Sequence, residues 1–461
     1  MTILTIALSD DGGPRYKQIA DQLASLIENG SLAANERLPT HRALSDQLGV
    51  TVGTITRAYA EAERRGLVEA RVGAGTYVCP REINHWCFDS ADSTQLECHF
   101  GYNVPPSLDR ADMLNRAMQT LAANPTTLNQ LMLYQLPEGI SQHREVLAQW
   151  LQSQGVNLQA ERLLFSSGAQ HATQMTLDAY CRAGDTLLVE KYTYPGLVSL
   201  ARQHQITLKP VEIDEEGIIP EALDAACRMY QPRLIYSMPT LQNPTTSTMS
   251  LERRHAILDV CRKHNLYLIE DEVNGLLPAE RPEPLVNLDS EQIIHIGALS
   301  KCLAPGLRVG YIQVPQRLYN QMATTLQNHS WMTSPLLTGI ATQLIQAGDA
   351  NRVLSQIRSE MKTRLAITQE ILGAYNLRTS ESCFHVWVTL PEHLRLGEFV
   401  SAAEAEGISL KSAELFVPPG GAVPPAVRLS VSSPANHDIL RKGLEKIKEL
   451  LEQEPVGGFS L

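Results

Sequence analysis

From Arg15 the apolar positions Ile19, Leu23, Leu26 and Ile27 recur at helical spacing, and Gly30 stands where a helix end favours a residue without a Cβ. After Leu38-Pro39, Thr40 is placed to cap a second helix that carries Leu44 and Leu48 on one face and stops at Gly49. Thr51 is placed to cap a third, whose buried face is Ile55, Ala58, Tyr59 and Ala62. That leaves Val52, Gly53, Thr54, Thr56 and Arg57 on its other faces. Leu67 to Arg71, the turn Gly73-Ala74-Gly75 and Thr76-Tyr77-Val78 then predict a small hairpin. Two helices joined by a turn of this length, followed by a hairpin, form a winged helix-turn-helix, whose second helix enters the DNA major groove by its N-terminal residues. The same pattern also suits a protein-docking module.

Residues 80–97 mix polar residues with single aromatics and show no period, which predicts a linker between a first domain over 1–79 and a second over 98–461. Beyond it, apolar runs at Leu163-Leu164-Phe165, Leu187-Leu188-Val189, Leu234-Ile235-Tyr236, Leu266 to Ile269 and Ile293 to Ile296 alternate with helical segments. This alternation predicts an α/β body with a mostly parallel sheet covered by helices on both faces. Ligands of such sheets bind beyond the carboxyl ends of the strands, so the residues after each strand carry the candidate chemistry.

After the first run come Ser166-Ser167-Gly168-Ala169-Gln170, small residues opening a helix, suited to cradling a phosphate on backbone amides. The second is followed by Tyr192 and Tyr194, rings on which a planar ligand could stack. The third leads to Asn243-Pro244-Thr245, an amide donor on a rigid turn; the fourth ends in Asp271, which by itself reads equally as a helix cap. The fifth precedes Ser300-Lys301 and, across a Pro-Gly turn, Arg308.

Composition narrows the field without naming a function. With 461 residues, 43% hydrophobic and 19% charged, the chain reads as globular and too long for one ordinary core. No apolar run approaches a bilayer span, and Met1 to Leu8 lacks the basic flank of a signal peptide, so neither membrane nor secretion is expected. Eight scattered cysteines without a C-x-x-C pair or metal-ligand spacing suggest no metal and a reducing cytoplasm. Net charge is −11, of which residues 1–80 carry −1, so DNA contact there must come from arrangement and not from bulk charge.

The run Leu38-Pro39-Thr40-His41-Arg42, with Gly49-Val50-Thr51, Thr54-Ile55, Ala58-Tyr59, Gly66-Leu67 and Gly73-x-Gly75-Thr76-x-Val78, resembles the N-terminal domain of the GntR regulator family. The resemblance implies that Arg42, Thr51, Thr54, Arg71 and Gly73 meet DNA. Arg57, exposed on the reading helix, is a further candidate and equally a solvated helix residue. Relatives often carry Arg, Ser or Thr where this chain has Val52 and Gly53.

The body resembles the fold-type-I, class I and II aminotransferases, most specifically in Ser300-Lys301-x-x-x-Pro305-Gly306-Leu307-Arg308-x-Gly310. Pyridoxal 5'-phosphate (PLP) needs a lysine for its Schiff base, a carboxylate at the ring nitrogen, phosphate donors and a stacking ring. The resemblance assigns Lys301 as the Schiff-base, catalytic lysine, Arg308, Ala169 and Gln170 to the phosphate, and Asp271 to the ring nitrogen. It assigns Asn243 to the ring hydroxyl and Tyr194 to stacking, and Ser300 adjoins the lysine in the cofactor site. Arg428 would grip a substrate carboxylate, and Tyr134, in Tyr134-x-x-Pro137-x-Gly139, would reach the phosphate of a partner subunit, implying a homodimer. Three positions depart from the enzyme pattern. Asn274 stands where relatives place a tyrosine, Ala298 where a phosphate-binding serine is common, and Thr246 where a glycine follows N-P-T.

A GntR-like reader joined to an aminotransferase-like body resembles the MocR subfamily of bacterial regulators. The resemblance implies a cytoplasmic, PLP-dependent transcriptional regulator that binds a double-stranded operator and senses PLP, an amino acid or another amine. The alternative is a working aminotransferase with an accessory DNA-binding domain. A docking scaffold, the third reading, would bind neither DNA nor cofactor.

Overall fold

The computed structural model describes residues 13–28, 32, 36–64, 67–71, 75–78 and 97–453. The chain separates into two compact units, Met1–His85 and Trp86–Leu461.

In the first unit the helices are Arg15–Glu28, His41–Leu48 and Val52–Arg64, followed by an antiparallel pair of strands, Val68–Arg71 and Gly75–Val78. The capping chemistry follows from the sequence. Thr40 Oγ1 accepts from the Ala43 amide at 3.2 Å, and Gly49 closes the second helix with φ 63°. Thr51 Oγ1 accepts from the Thr54 amide at 3.3 Å. Ile19, Leu23, Leu44, Ile55, Ala58 and Ala62 are fully buried in one core with Val68 and Val78, so the wing is packed on the helices. The hairpin gains a third member that periodicity did not reveal. Arg37 bridges to Tyr77, with Leu38 N donating to Thr76 O and Val78 N to Glu36 O, both at 2.9 Å. Gly30 and Gly73 lie outside the described residues.

In the second unit a seven-stranded sheet runs in the spatial order Leu163–Ser166, Gly310–Gln313, Ile293–Ala298, Tyr267–Asp271, Leu234–Ser237, Thr186–Glu190, Thr207–Val211. Only Gly310–Gln313 is antiparallel to its neighbours. Two of the seven were not among the predicted runs. Gly310–Gln313 has only four residues and begins inside the lysine motif, and Thr207–Val211 is an edge strand interrupted by Lys209 and Pro210.

Alternation along the strands divides the core in two. Leu187, Val189, Ile269, Ile294 and Ile296 face a cluster with the helices Ala169–Tyr180, Pro195–Gln203 and Tyr319–Ser330. Leu188, Ile235, Leu268 and Ile293 face a second cluster that includes Leu251–His264 and Asp349–Leu372. A smaller antiparallel sheet, Leu377–Arg378, Val386–Thr389, Ala426–Leu429 and Lys411–Ser412, carries Arg428 opposite Trp387. Glu97, the last residue of the expected linker, donates through its amide to Gly407 O at 2.9 Å, and Cys98–His99 pairs with Ile408–Ser409. That pairing delivers Gly101 to Asn103 to the site. Among the described residues no helix is long and apolar enough to cross a membrane.

Candidate cofactor site and DNA-reading surface

The candidate phosphate cradle is built by excluding side-chain volume. Gly168, with φ 90°, turns the chain from the Leu163–Ser166 strand into the Ala169–Tyr180 helix, whose first amides belong to Ala169 and Gln170. A Cβ at Gly168 would lie 2.5 Å from Arg308 Nη2, and one at Gly310 would lie 2.6 Å from the Gly168 carbonyl carbon. Arg308 itself takes a left-handed conformation, φ 52°, and donates through Nη2 to Ser167 O at 3.0 Å. The Pro305-Gly306 turn therefore brings a guanidinium to the amides that open the helix. Gln170 Nε2 donates to Gly196 O at 3.1 Å, and a side chain on Gly196 would overlap the Tyr194 ring and Gln170 Oε1. Tyr194 thus lies beside the cradle.

At the neighbouring strand ends, Asp271 is 4% exposed and accepts from the Tyr236 hydroxyl at 2.5 Å and the Val273 amide at 3.0 Å. Burial still holds its carboxyl above the usual range despite those two donors. Asn243 Oδ1 accepts from Arg428 Nη1 at 3.0 Å; since a guanidinium only donates, the Asn243 Nδ2 group faces the other way as a donor. Arg428 also donates through Nη2 to Gly101 O at 2.7 Å and stacks its guanidinium 5.1 Å from the Phe416 ring centre. Lys301 donates to Asn103 O and stands 6.0 Å from the Phe384 ring centre. Ser300 is half-buried beside it.

The structure therefore brings Asn243 and Arg428 into contact and ties both Arg428 and Lys301 to one short segment, Gly101 to Asn103. Sequence reasoning missed that segment, which carries no motif, and it missed Tyr236, whose strand reads as core. It also missed Glu190. This fully buried carboxylate accepts from Ser237 Oγ at 2.7 Å, Met238 N at 3.1 Å and Gln242 Nε2 at 2.9 Å. Gln242 in turn accepts from Thr245 N and Oγ1, both at 2.8 Å, which fixes the turn that presents Asn243. Burial, reinforced by the charge of Asp271, pushes Glu190 up to about 7. An acidic residue ending an apolar strand was the available signal.

Tyr134 is apart from these groups, 83% exposed, with its ring centre 5.9 Å from that of Trp331; Met132, Leu133 and Leu136 around it are also exposed.

On the first unit, Arg42 and Arg57 are exposed, and the Thr51 and Thr54 hydroxyls meet at 2.9 Å at the start of the Val52–Arg64 helix. His41 Nδ1 lies 3.4 Å from Thr56 Oγ1. Arg71 pairs with Gly75 in the wing through its backbone. The Arg37 guanidinium comes within 3.0 Å of where a Gly75 Cβ would stand.

Residues 98–447 match the family described as aminotransferase class I and II, and residues 15–78 match the bacterial regulatory proteins of the gntR family. Among curated relatives, the chain is 30% identical over 440 residues to YdeF of Bacillus subtilis (strain 168), covering 95% of each, a protein described as an HTH-type transcriptional regulator. It is 27% identical over 435 residues to YdcR of Escherichia coli (strain K12), which bears the same description, covering 87% of this chain and 92% of that one. In fold, it resembles the Pyrococcus horikoshii kynurenine aminotransferase solved with PMP, at TM-score 0.71 and 20% identity, over 78% of this chain and 91% of that one. An archaeal alanine:glyoxylate aminotransferase gives TM-score 0.71 at 23% identity, over 77% and 90%. With a gntR-type reader in front and a cradle, buried aspartate and lysine turn behind, the chain belongs to the aminotransferase class I and II family in its MocR-type, regulator-fused architecture.

Proposed function

We propose that this protein is a PLP-dependent DNA-binding transcriptional regulator whose aminotransferase-like body senses PLP or an amine that condenses with it. The observation that carries the reading is one chain holding both a capped, winged helix-turn-helix and a cradle in which Arg308 lies against Gly168.

The residues present fit the cofactor. The cradle offers helix-opening amides and a guanidinium with no Cβ in the way, which suits a phosphate dianion. Asp271, buried and short of positive charge, suits a protonated ring nitrogen. Asn243 has an amide donor for the ring hydroxyl, and Tyr194 lies beside the cradle to stack on the ring. When bound, PLP supplies a carbonyl that condenses with amines on a ring that withdraws electrons. Lys301 is the residue that would hold it covalently, while Ala169, Gln170, Ser300 and Arg308 would complete its site.

Arg428 suits an effector with a carboxylate as well as an amine, because its planar fork matches two oxygens. Sensing is favoured over rapid turnover by one observation. Asn274, at the position of the missing phenol, is buried and commits an Nδ2 hydrogen to Leu241 O at 2.9 Å, and it has no phenolic hydroxyl to offer the ring. The exposed apolar residues around Tyr134 support a homodimer in which Tyr134 reaches the partner's cradle. Arg42, Thr51, Thr54, Arg57 and the wing at Arg71 would then read two half-sites of an operator, a role that belongs in the cytoplasm.

The test is an absorption titration with PLP, then with a panel of amino acids and amines, with and without an α-keto acid acceptor, beside a genomic footprint. A stable spectral change, few turnovers and a discrete operator are expected. Many rapid turnovers and no operator would establish the enzyme instead.

A further inference from the structure

Ser167 is held from both sides of its backbone. Its carbonyl accepts from Arg308 Nη2 at 3.0 Å, and its amide donates to His171 Nδ1 at 3.0 Å. The second bond starts a chain with one direction. An amide can only donate, so Nδ1 of His171 carries the lone pair and the ring proton of the neutral imidazole sits on Nε2. Nε2 lies 3.3 Å from His329 Nδ1, and the two rings stack at 5.4 Å between centres. His329 must then carry its own proton on Nε2, which stands 2.9 Å from Asp178 Oδ2. The other oxygen of Asp178 lies 3.1 Å from His204 Nδ1. Burial, with a smaller contribution from His329, lowers the His171 imidazole to about 4, so this ring is neutral near pH 7 and its tautomer is set by Ser167.

The chain leaves the cradle by way of the Tyr319–Ser330 helix. His329 is in the last turn of that helix, and the next residue after the helix is Trp331, 52% exposed, with φ 65°. Trp331 packs its ring against Tyr134, and Met332 Sδ accepts from the Gln135 amide at 3.0 Å.

We propose that His171 is a positioning residue of the phosphate cradle and the first member of a hydrogen-bond relay, Ser167–His171–His329–Asp178–His204, by which an anion in the cradle resets the exposed Tyr134–Trp331 face. The inference rests on the PLP reading and assigns that site its regulation. An anion that takes up the Arg308 guanidinium releases the Ser167 carbonyl. Loss of that bond lets the backbone at Ser167 shift as a whole, carrying with it the amide on the preceding peptide unit; His171 Nδ1 then loses the donor that fixed its tautomer, and Nε2 no longer has to donate to His329. Loss of the His171–His329 bond loosens the helix end from which Trp331 projects. Arg308, His329, Asp178 and His204 are the charged or titratable groups that join the cradle to this path.

The full chain labelled with 5-fluorotryptophan reports the coupling. The sequence has four tryptophans, and Trp331→Phe identifies the Trp331 resonance. Adding PLP, or inorganic phosphate as a simpler probe, is expected to move that resonance in the wild type. His171→Ala should still bind PLP by absorption, roughly two- to tenfold more weakly for one lost hydrogen bond, while the Trp331 resonance stays in place. His171→Gln, which can accept from Ser167 and donate to His329, should restore the shift. His329→Phe keeps a stacked ring without either nitrogen and carries the same expectation as His171→Ala, should that variant fail to fold. A shift that persists in His171→Ala or His329→Phe, a failure of Gln to restore it, or PLP binding that leaves Trp331 unmoved in the wild type would overturn the relay and spare the cofactor reading. Absence of PLP binding in the wild type would remove both.

Discussion

The Tyr236 hydroxyl donates to Asp271 Oδ2 across adjacent strands, with both groups buried. A carboxylate in that position keeps its charge only through such donors. Tyr236→Phe should therefore destabilise the cofactor-free protein by about 1.5–3 kcal/mol, the usual worth of a hydrogen bond to a charged group. Bound PLP should recover part of the loss by giving Asp271 a cationic partner. Chemical denaturation with and without PLP measures both; equal losses in the two states would refute the pairing of Asp271 with the ring.

Arg428 makes two directed bonds, to Asn243 Oδ1 and Gly101 O, that a lysine cannot reproduce together. Arg428→Lys should weaken amino-acid-induced spectral change by at least about tenfold and leave PLP binding near wild type. Simple amines without a carboxylate should respond equally in both proteins. A variant that still distinguishes amino acids from amines would place the carboxylate elsewhere.

Glu190 gives the body a pH dependence with a definite sign. Its value near 7 in the folded protein lies above the ordinary 4.5, so folding favours the neutral acid. The stability it contributes is complete below about pH 4.5 and is lost as pH rises through 7, on the order of 3 kcal/mol in all. Glu190→Gln cannot ionise and should flatten that decline. Denaturation midpoints for the two proteins at a series of pH values decide it, and parallel curves would rule it out.

For DNA, Arg42→Ala and Thr54→Ala should each weaken operator binding by about 1–3 kcal/mol while leaving the PLP spectrum unchanged. Thr51→Ala should cost the domain a further 0.5–2 kcal/mol or so of stability, because Thr51 also caps the reading helix. Since residues 1–80 carry only −1, the salt dependence should be shallower than for a strongly basic reader. Anisotropy titrations at several salt concentrations test the binding and salt predictions, and chemical denaturation of Thr51→Ala tests the stability cost.

What the sequence revealed and what it hid follow from the range of the interactions involved. Thr40, Gly49 and Thr51 act on residues within a single turn, so the helix caps of the reading domain were legible, whereas the bridge from Arg37 to Tyr77 joins distant positions and was not. Gly168, Asp271 and Lys301 lie at ends of strands whose apolar runs are continuous, and a motif names them. Asn103 and Gly101 meet Lys301 and Arg428 across 198 and 327 residues, and no local pattern encodes such a meeting. Tyr236 and His171 were hidden for another reason. One alternates correctly as core, the other sits at an ordinary helix position, and only their partners distinguish them.

The crowding at Gly168 has a use in living cells. Alanine there adds a single methyl, yet it both strains a φ of 90° and intrudes on Arg308. A Gly168→Ala allele would leave the reading domain's sequence untouched while closing the proposed cradle to an anion. Set beside a deletion strain, such an allele would show which genes answer to the protein's presence and which answer to what it has sensed.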